Sequence, residues 1–208
     1  MSLAALKNLV GDLRCWVFDL RHGVRTRGDV ELADLTVESP NFSFGAAYQP
    51  THPKLIREVL SGLPIDYPRC TLVDYGSGKG RVLLVAAAYP FKRIVGVEFS
   101  RELHEVAQAN IRRLRPRPRC PRIESVHTDA LALSLPLEPL VIFMFNPFGP
   151  SVLAPLMEGI RCSLLAHPRD AWLIYVSPFH AHLITAPFKL VQSRTWHNLY
   201  HAPSLFFS

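Results

Sequence analysis

Residues 72–80, LVDYGSGKG, run a short apolar segment through an acid into three alternating glycines. Leu72 and Val73, preceded by Cys70 and Thr71, have the character of a buried parallel strand, and Arg81 to Ala88 continues as a helix. A strand that turns through Gly76, Gly78 and Gly80 into a helix constrains the fold strongly. Those positions serve a tight turn, a close backbone approach to a ligand or helix-to-strand packing, each of which a side chain would obstruct. A second apolar strand, RIVGVE at 93–98, places Glu98 20 positions after Gly78, the separation at which a doubly wound α/β fold sets an acid on ribose hydroxyls.

The loop departs from the G-x-G-x-x-G dinucleotide fingerprint, because Asp74 stands before the first glycine. An acid there repels a pyrophosphate and attracts a cationic group. The loop also lacks the G-x-x-x-x-G-K-[ST] spacing of a phosphate-binding P-loop, so Lys79 is read as facing solvent. The stretch LVDYGSGKGRVLLVAAA, followed by IVGVEFS, resembles class I S-adenosylmethionine-dependent methyltransferases, and the resemblance covers roughly residues 42–180. It implies a doubly wound, Rossmann-like sheet of seven strands and S-adenosyl-L-methionine as cofactor. Asp74 with Gly76 and Gly78 would hold the methionine part, Glu98 the ribose, and Asp129, after the third strand, the adenine.

Composition agrees with one substantial core: 208 residues, 49% of them hydrophobic, leave little room for a separate catalytic domain. We expect residues 1–67 to form a helical extension and connector covering the cofactor site, and 68–208 the methyltransferase domain. No stretch approaches the roughly 18 to 20 continuous apolar residues of a bilayer span, and the N-terminus lacks the order of a secretory signal. The expectation is a soluble, cytoplasmic protein. Cys15, Cys70, Cys120 and Cys162 are scattered and read as free thiols, unable to ligate the iron–sulfur cluster that radical use of the cofactor needs. His180 with His182, and His197 with His201, have no local acid or cysteine companion, so no metal site is expected.

Leu3, Leu6, Val10, Leu13, Val17 and Leu20 recur at spacings of three and four, marking an amphipathic helix that ends near Gly23. We expect its apolar face to pack on the domain or on a second copy; the alternative is an interfacial membrane helix aided by Lys7, Arg14 and Arg21. Residues 23–52 read as an irregular connector over the surface. Further along, helices are predicted at 53–60, 101–114 and 151–165, strands at 122–127, 140–145 and 171–176, and a hairpin-like pair within 187–207.

The formal net charge of +6 has one source. IRRLRPRPRCPR, 111–122, holds six of the 23 basic residues, and the remaining 17 balance the 17 acids. This loop leads into the third strand, at the edge of the sheet away from the expected cofactor site, and is either a solvated Pro-stiffened loop or an anionic docking patch from Arg112 to Arg122.

The fourth strand ends in FNPFGP, 145–150, delivering Asn146, Pro147 and Phe148 to the cofactor edge. An amine that attacks a methyl group must keep its lone pair in line with the carbon, so useful neighbours accept its hydrogens. Asn146 and the Pro147 carbonyl suit that task; they are candidate catalytic residues together with Phe148. The motif is similar to the Asn-Pro-Pro-aromatic signature of amino-group methyltransferases, with one proline missing. It also resembles non-SET histone-lysine methyltransferases of the disruptor-of-telomeric-silencing type, through AYQPT at 47–51, FNPFGP at 145–150 and SPF at 177–179. That resemblance implies that Tyr48 and Thr51 close over the cofactor, while Phe148 and Phe179 wall an alkylamine channel. Pro50 stands where that family has glutamate, and one asparagine is absent. The expected activity is methylation of a protein lysine or other amine. Small-molecule or nucleic-acid methylation, and a non-catalytic nucleic-acid-binding module of the same fold, stay open.

Overall fold

The structure is a computed structural model that describes residues 3–31, 35 and 48–204, with side chains from Leu13 onward. Seven strands form one sheet: β1 (Thr71–Tyr75), β2 (Arg93–Glu98), β3 (Ile123–His127), β4 (Leu140–Phe145), β5 (Ala171–Val176), β6 (Lys189–Ser193) and β7 (His197–Ala202). Their order is β3-β2-β1-β4-β5-β7-β6. The first five strands run parallel, and β7 enters antiparallel between β5 and β6. This is the expected doubly wound, Rossmann-like methyltransferase sheet, and the hairpin expected near the C-terminus is β6–β7.

The helices are α1 (Leu3–His22), α2 (Pro53–Ser61), α3 (Arg81–Ala86), α4 (Arg101–Arg113) and α5 (Pro150–Ala166). Their starts have local causes. Pro53 and Pro150 open α2 and α5, where a missing N–H is harmless. The Ser100 hydroxyl accepts the Leu103 N–H to cap α4. Strand side chains alternate between the two faces of the sheet. In β4, Val141 and Phe143 join one apolar cluster with Ile56 and Leu60 of α2 and Leu83 of α3. Leu140, Ile142 and Met144 join the other, with Leu153, Met157 and Ile160 of α5. β4 and β5 are apolar on both faces because both faces are covered.

The N-terminal region differs from expectation in three respects. First, Leu13, Val17 and Leu20, expected to pack on the domain or on a second copy, do not pack on the domain and are exposed in the single chain. The inward side of α1 is instead the one bearing Phe18 and Asp19, both buried. Leu3, Leu6 and Val10 lie outside the residues with described side chains. Second, the described ends of the 23–52 connector are irregular and mostly at the surface, as expected, but they are also pinned. Asp19 accepts hydrogen bonds from the Thr26 N–H, the Thr26 hydroxyl and the Arg27 N–H, and the Thr26 carbonyl accepts the Tyr48 hydroxyl at 2.8 Å. Val30 and Tyr48 pair as an antiparallel bridge; residues 32–34 and 36–47 lie outside the described ones. Third, Lys79 does not simply face solvent: its ammonium donates to the carbonyls of Arg27 and Gly28, each at 2.8 Å, and lies 4.9 Å from the Tyr48 ring centroid. A single-sequence pattern shows periodicity but not these long-range partners.

The strap so formed presses on the glycine loop. Gly78 has φ +53°, and a Cβ built there would lie 2.2 Å from the Tyr48 ring. Gly78→Ala therefore combines a left-handed backbone penalty of about 1–2 kcal/mol with displacement of Tyr48. The expected result is a melting temperature lower by roughly 3–8 °C and faster proteolysis after residues 25–31. Unchanged melting would mean that the ring does not sit on the loop.

Candidate active site

The strand order reverses between β1 and β4, and in open α/β sheets ligands bind outside the carboxyl ends of the strands at such a point. A cavity of about 1180 Å³ opens there. Nine of the ten predicted site residues line it: Tyr48, Thr51, Asp74, Gly76, Gly78 and Glu98 from the cofactor set, and Asn146, Pro147 and Phe148 from the catalytic set. Asp129 does not. It lines a small recess that shares Gly76, Phe99 and Phe148 with the cavity wall, and its carboxylate caps the Leu131 N–H at 2.8 Å. The glycine loop and the Asn146–Pro147 turn meet directly, since a Cβ on Gly76 would fall 2.7 Å from that of Pro147. The absence of a side chain at Gly76 thus brings donor side and acceptor side together.

The loop's N–H groups are already committed. Those of Gly76 and Ser77 both donate to the Val97 carbonyl at 3.0 Å, that of Gly78 to Glu98 Oε2 at 2.7 Å, and that of Gly80 to the Ser77 carbonyl at 2.8 Å. A pyrophosphate is held by free backbone N–H groups of such a turn, and here these four point elsewhere. Glu98 is almost fully buried; Oε1 accepts the Ser100 N–H at 2.9 Å, and each oxygen keeps a further lone pair for a hydroxyl donor.

Two buried charged groups that line the cavity each keep an atom without a partner. Asp74 is 3% exposed with no hydrogen bond to Oδ2, and Arg81 is 2% exposed with none from Nη2. Arg81 is otherwise held from the strap: Nε donates to the Thr26 hydroxyl at 2.7 Å, and Nη1 lies 3.2 Å from Cys15 Sγ and 3.5 Å from the Thr51 carbonyl. Buried polar groups without partners are costly, by about 1–3 kcal/mol each. Both line the same cavity. A carboxylate and a guanidinium that each keep an unsatisfied atom in one cavity fit a zwitterionic amino-acid end, the ammonium at Asp74 and the carboxylate at Arg81. With Glu98 available for ribose hydroxyls, these residues fit S-adenosylmethionine.

Burial raises the Glu98 carboxyl from its ordinary 4.5 to about 7, against the opposing pull of N–H donors. Burial first, and then the charge of Glu98, hold Asp74 well above the usual carboxylate range. The folded chain thus retains a Glu98 proton that the unfolded chain loses near 4.5, so stability without ligand falls as pH rises from about 4.5 to about 7. An ammonium and hydroxyl donors favour the ionised carboxylates. Cofactor uptake should therefore release protons, most strongly near pH 6, and its affinity should increase from about pH 5.5 to about pH 8. Calorimetry in buffers of differing ionisation enthalpy measures both; an affinity independent of pH would contradict this electrostatic account.

At the acceptor end, Asn146 has φ +37° and Ser177 has φ +47°, the two described non-glycine residues in the left-handed region. They terminate β4 and β5. Backbone strain of this kind clusters where a side chain must be held in one position. Asn146 Oδ1 accepts the Tyr175 hydroxyl at 3.0 Å, which orients the amide. The Ser177 N–H donates to the Trp196 carbonyl at 2.9 Å. Phe179 and Trp196 both line the cavity and are strongly exposed, so they form an aromatic rim. Among the described residues no group of three or more His, Cys, Asp or Glu side chains could hold a metal ion.

Sequence reading passed over Arg81, Tyr175 and Trp196. Arg81 follows the last glycine of the loop, where a cation opening a helix N-terminus opposes the dipole and is itself a signal. Tyr175 and Trp196 carry none, being ordinary strand and turn residues until β5, β7 and the β4 turn are assembled.

No protein-family model and no curated protein matches the sequence. Solved structures do match the fold. An RNA methyltransferase from Salinibacter ruber, solved with S-adenosyl-L-homocysteine, aligns with a TM-score of 0.51 and 20% identity, over 74% of this chain and 94% of that one. A SAM-dependent methyltransferase from Aquifex aeolicus aligns with a TM-score of 0.54 and 15% identity, over 74% and 94%. A predicted N6-adenine-specific DNA methylase from Listeria monocytogenes gives 0.55 and 12%, over 73% of this chain and 51% of that one. The chain thus spans about half the length of the Listeria protein and nearly all of the other two. The fold is that of the class I methyltransferases.

Proposed function

We propose that the protein is an S-adenosylmethionine-dependent methyltransferase acting on an amine nitrogen, with a protein lysine side chain as leading acceptor and small-molecule amines next. When bound, the cofactor supplies a sulfonium methyl group that an amine lone pair can attack in line. Asp74 and Arg81 hold the two charges of its amino-acid end, Glu98 its ribose, and Asp129 closes the recess beside the adenine position. Tyr48 and Thr51 cover it from the strap. In this reading residues 1–67 are the covering extension and 68–208 the methyltransferase domain.

The observation that carries the proposal is the Asn146 turn: an amide in a left-handed backbone conformation, oriented by Tyr175 and abutting Gly76 of the loop that bears Asp74. Asn146 Oδ1 and the Pro147 carbonyl accept the amine's hydrogens, which leaves the lone pair free to face the methyl carbon. Neither is a base of useful strength, so the proton leaves to water, and the contribution of the site lies in positioning and exclusion of solvent. Phe148 and Phe179 wall the approach.

A second reading, methylation of an exocyclic base amine, is favoured by the exposed rings of Phe179 and Trp196, which offer faces on which a base can stack. One experiment separates the readings: incubation with cofactor labelled in the methyl group and a cell extract, followed by separation into protein, nucleic acid and small molecules. Label in protein that survives as methyl-lysine after hydrolysis supports the first reading. Label confined to nucleic acid replaces it with the second, and none in any fraction removes the enzyme assignment.

A further inference from the structure

Helix α1 presents four apolar residues to solvent. Leu13, Trp16, Val17 and Leu20 are between 45% and 67% exposed, while Phe18 and Asp19 on the opposite side are buried. The exposed four share one stripe, since they stand three and four residues apart. Arg14 and Arg21, both exposed and seven residues apart, run along its edge. The helix end is tied to the arginine loop. The Arg115 N–H donates to the His22 carbonyl at 3.1 Å, and the His22 ring hydrogen-bonds the Arg115 carbonyl. Arg112, Arg113, Arg115, Arg117, Arg119 and Arg122 are all exposed there. Of the two acids on α1, Asp12 lies outside the residues with described side chains, and Asp19 is buried and engaged by Thr26 and Arg27.

We propose that this surface, the α1 stripe together with the arginine loop, docks the protein on an anionic phospholipid membrane. A Trp- and Leu-bearing helix face edged by arginine inserts at the headgroup boundary, and the polybasic loop supplies the second signal that stable peripheral binding requires. Charge argues against the alternatives. A second copy meeting this face across a twofold axis would bring two arginine loops together. Nucleic acid would meet the arginines but leave the apolar stripe without a function, since such interfaces are polar. No described helix is long and apolar enough to cross a membrane, so the contact is peripheral. Arg14 lies both on the stripe's edge and in the cavity wall, which sets the active site beside the lipid surface.

The test is vesicle co-sedimentation of the full chain with phosphatidylcholine alone and with phosphatidylcholine containing phosphatidylglycerol. Leu13→Ser/Leu20→Ser and Arg112→Gln/Arg113→Gln/Arg117→Gln variants are run alongside, with melting temperature and cofactor binding confirming that each is folded. The expected result is binding to anionic vesicles at least about tenfold above neutral ones, weakened by salt and lowered about tenfold in either variant. No binding of the wild-type chain to anionic vesicles overturns the proposal. So does a wild-type dimer in sedimentation that Leu13→Ser/Leu20→Ser converts to monomer, or binding of the arginine loop to RNA or DNA that is unaffected by the leucine changes.

Discussion

Asp74→Asn is expected to weaken S-adenosylmethionine binding by about a hundredfold, roughly 2.7 kcal/mol, while leaving the folded chain at least as stable as before. The two effects have one cause. Asp74 is buried beside Glu98, with an oxygen that no group in the protein satisfies and a carboxyl held well above its usual range by burial. Without a cationic ligand, that group opposes folding; with one, it becomes half of a buried ion pair, whose loss typically costs about 3–5 kcal/mol. An amide of the same size removes the charge but keeps the shape. Calorimetric titration with cofactor and thermal denaturation without it measure the two halves separately. Binding within threefold of wild type would show that the carboxylate does not meet the ammonium. A large fall in melting temperature would show instead that it serves the fold.

Asn146→Ala should leave cofactor affinity intact and lower turnover by about a hundredfold, the loss expected when reacting atoms are misplaced by about 1 Å. Alanine is itself strained at φ +37°, so its effect alone would mix a lost amide with a collapsed turn. Asn146→Gly separates these contributions, because glycine adopts the backbone without strain. If the amide acts on the amine, both variants lose turnover alike; if only the turn matters, glycine restores it. Single-turnover measurement with the acceptor identified by the labelling experiment reads the chemical step directly, and full activity in either variant would remove Asn146 from the site.

Much of this was legible before the structure. Asp74, Gly76, Gly78 and Glu98 stand at short, regular separations on a strand–turn–helix–strand unit, and local spacing alone brings them to one edge. The apolar runs of β4 and β5 marked both as strands, and FNPFGP marked the end of β4. Asp129 lies in the loop after β3, and its carboxylate caps Leu131 and lines the smaller recess rather than the main cavity. Lys79 was misread for the same reason that Arg81 was overlooked. Their partners, Thr26, Arg27, Gly28 and Thr51, are 30 or more residues away in sequence and contribute chiefly carbonyl and hydroxyl oxygens that carry no pattern.

The helical periodicity of α1 was correct, while Leu13, Val17 and Leu20 face away from the domain rather than onto it. Periodicity states that a stripe exists; which side turns inward depends on what competes for the docking surface. There the pairing of Phe18 with the core and of Asp19 with Thr26 outweighed the longer apolar row. The chain alone thus determined its fold class, its strand edges and the acids and glycines of the loop, all set by contacts close in sequence. Only the assembled molecule decided that Tyr48 lies on Gly78, that Gly76 touches Pro147, that Asp74 Oδ2 and Arg81 Nη2 are left without partners in one cavity and that α1 turns Leu13 and Leu20 outward. Each is a contact between distant segments, governed by which groups can be buried together once the sheet has formed.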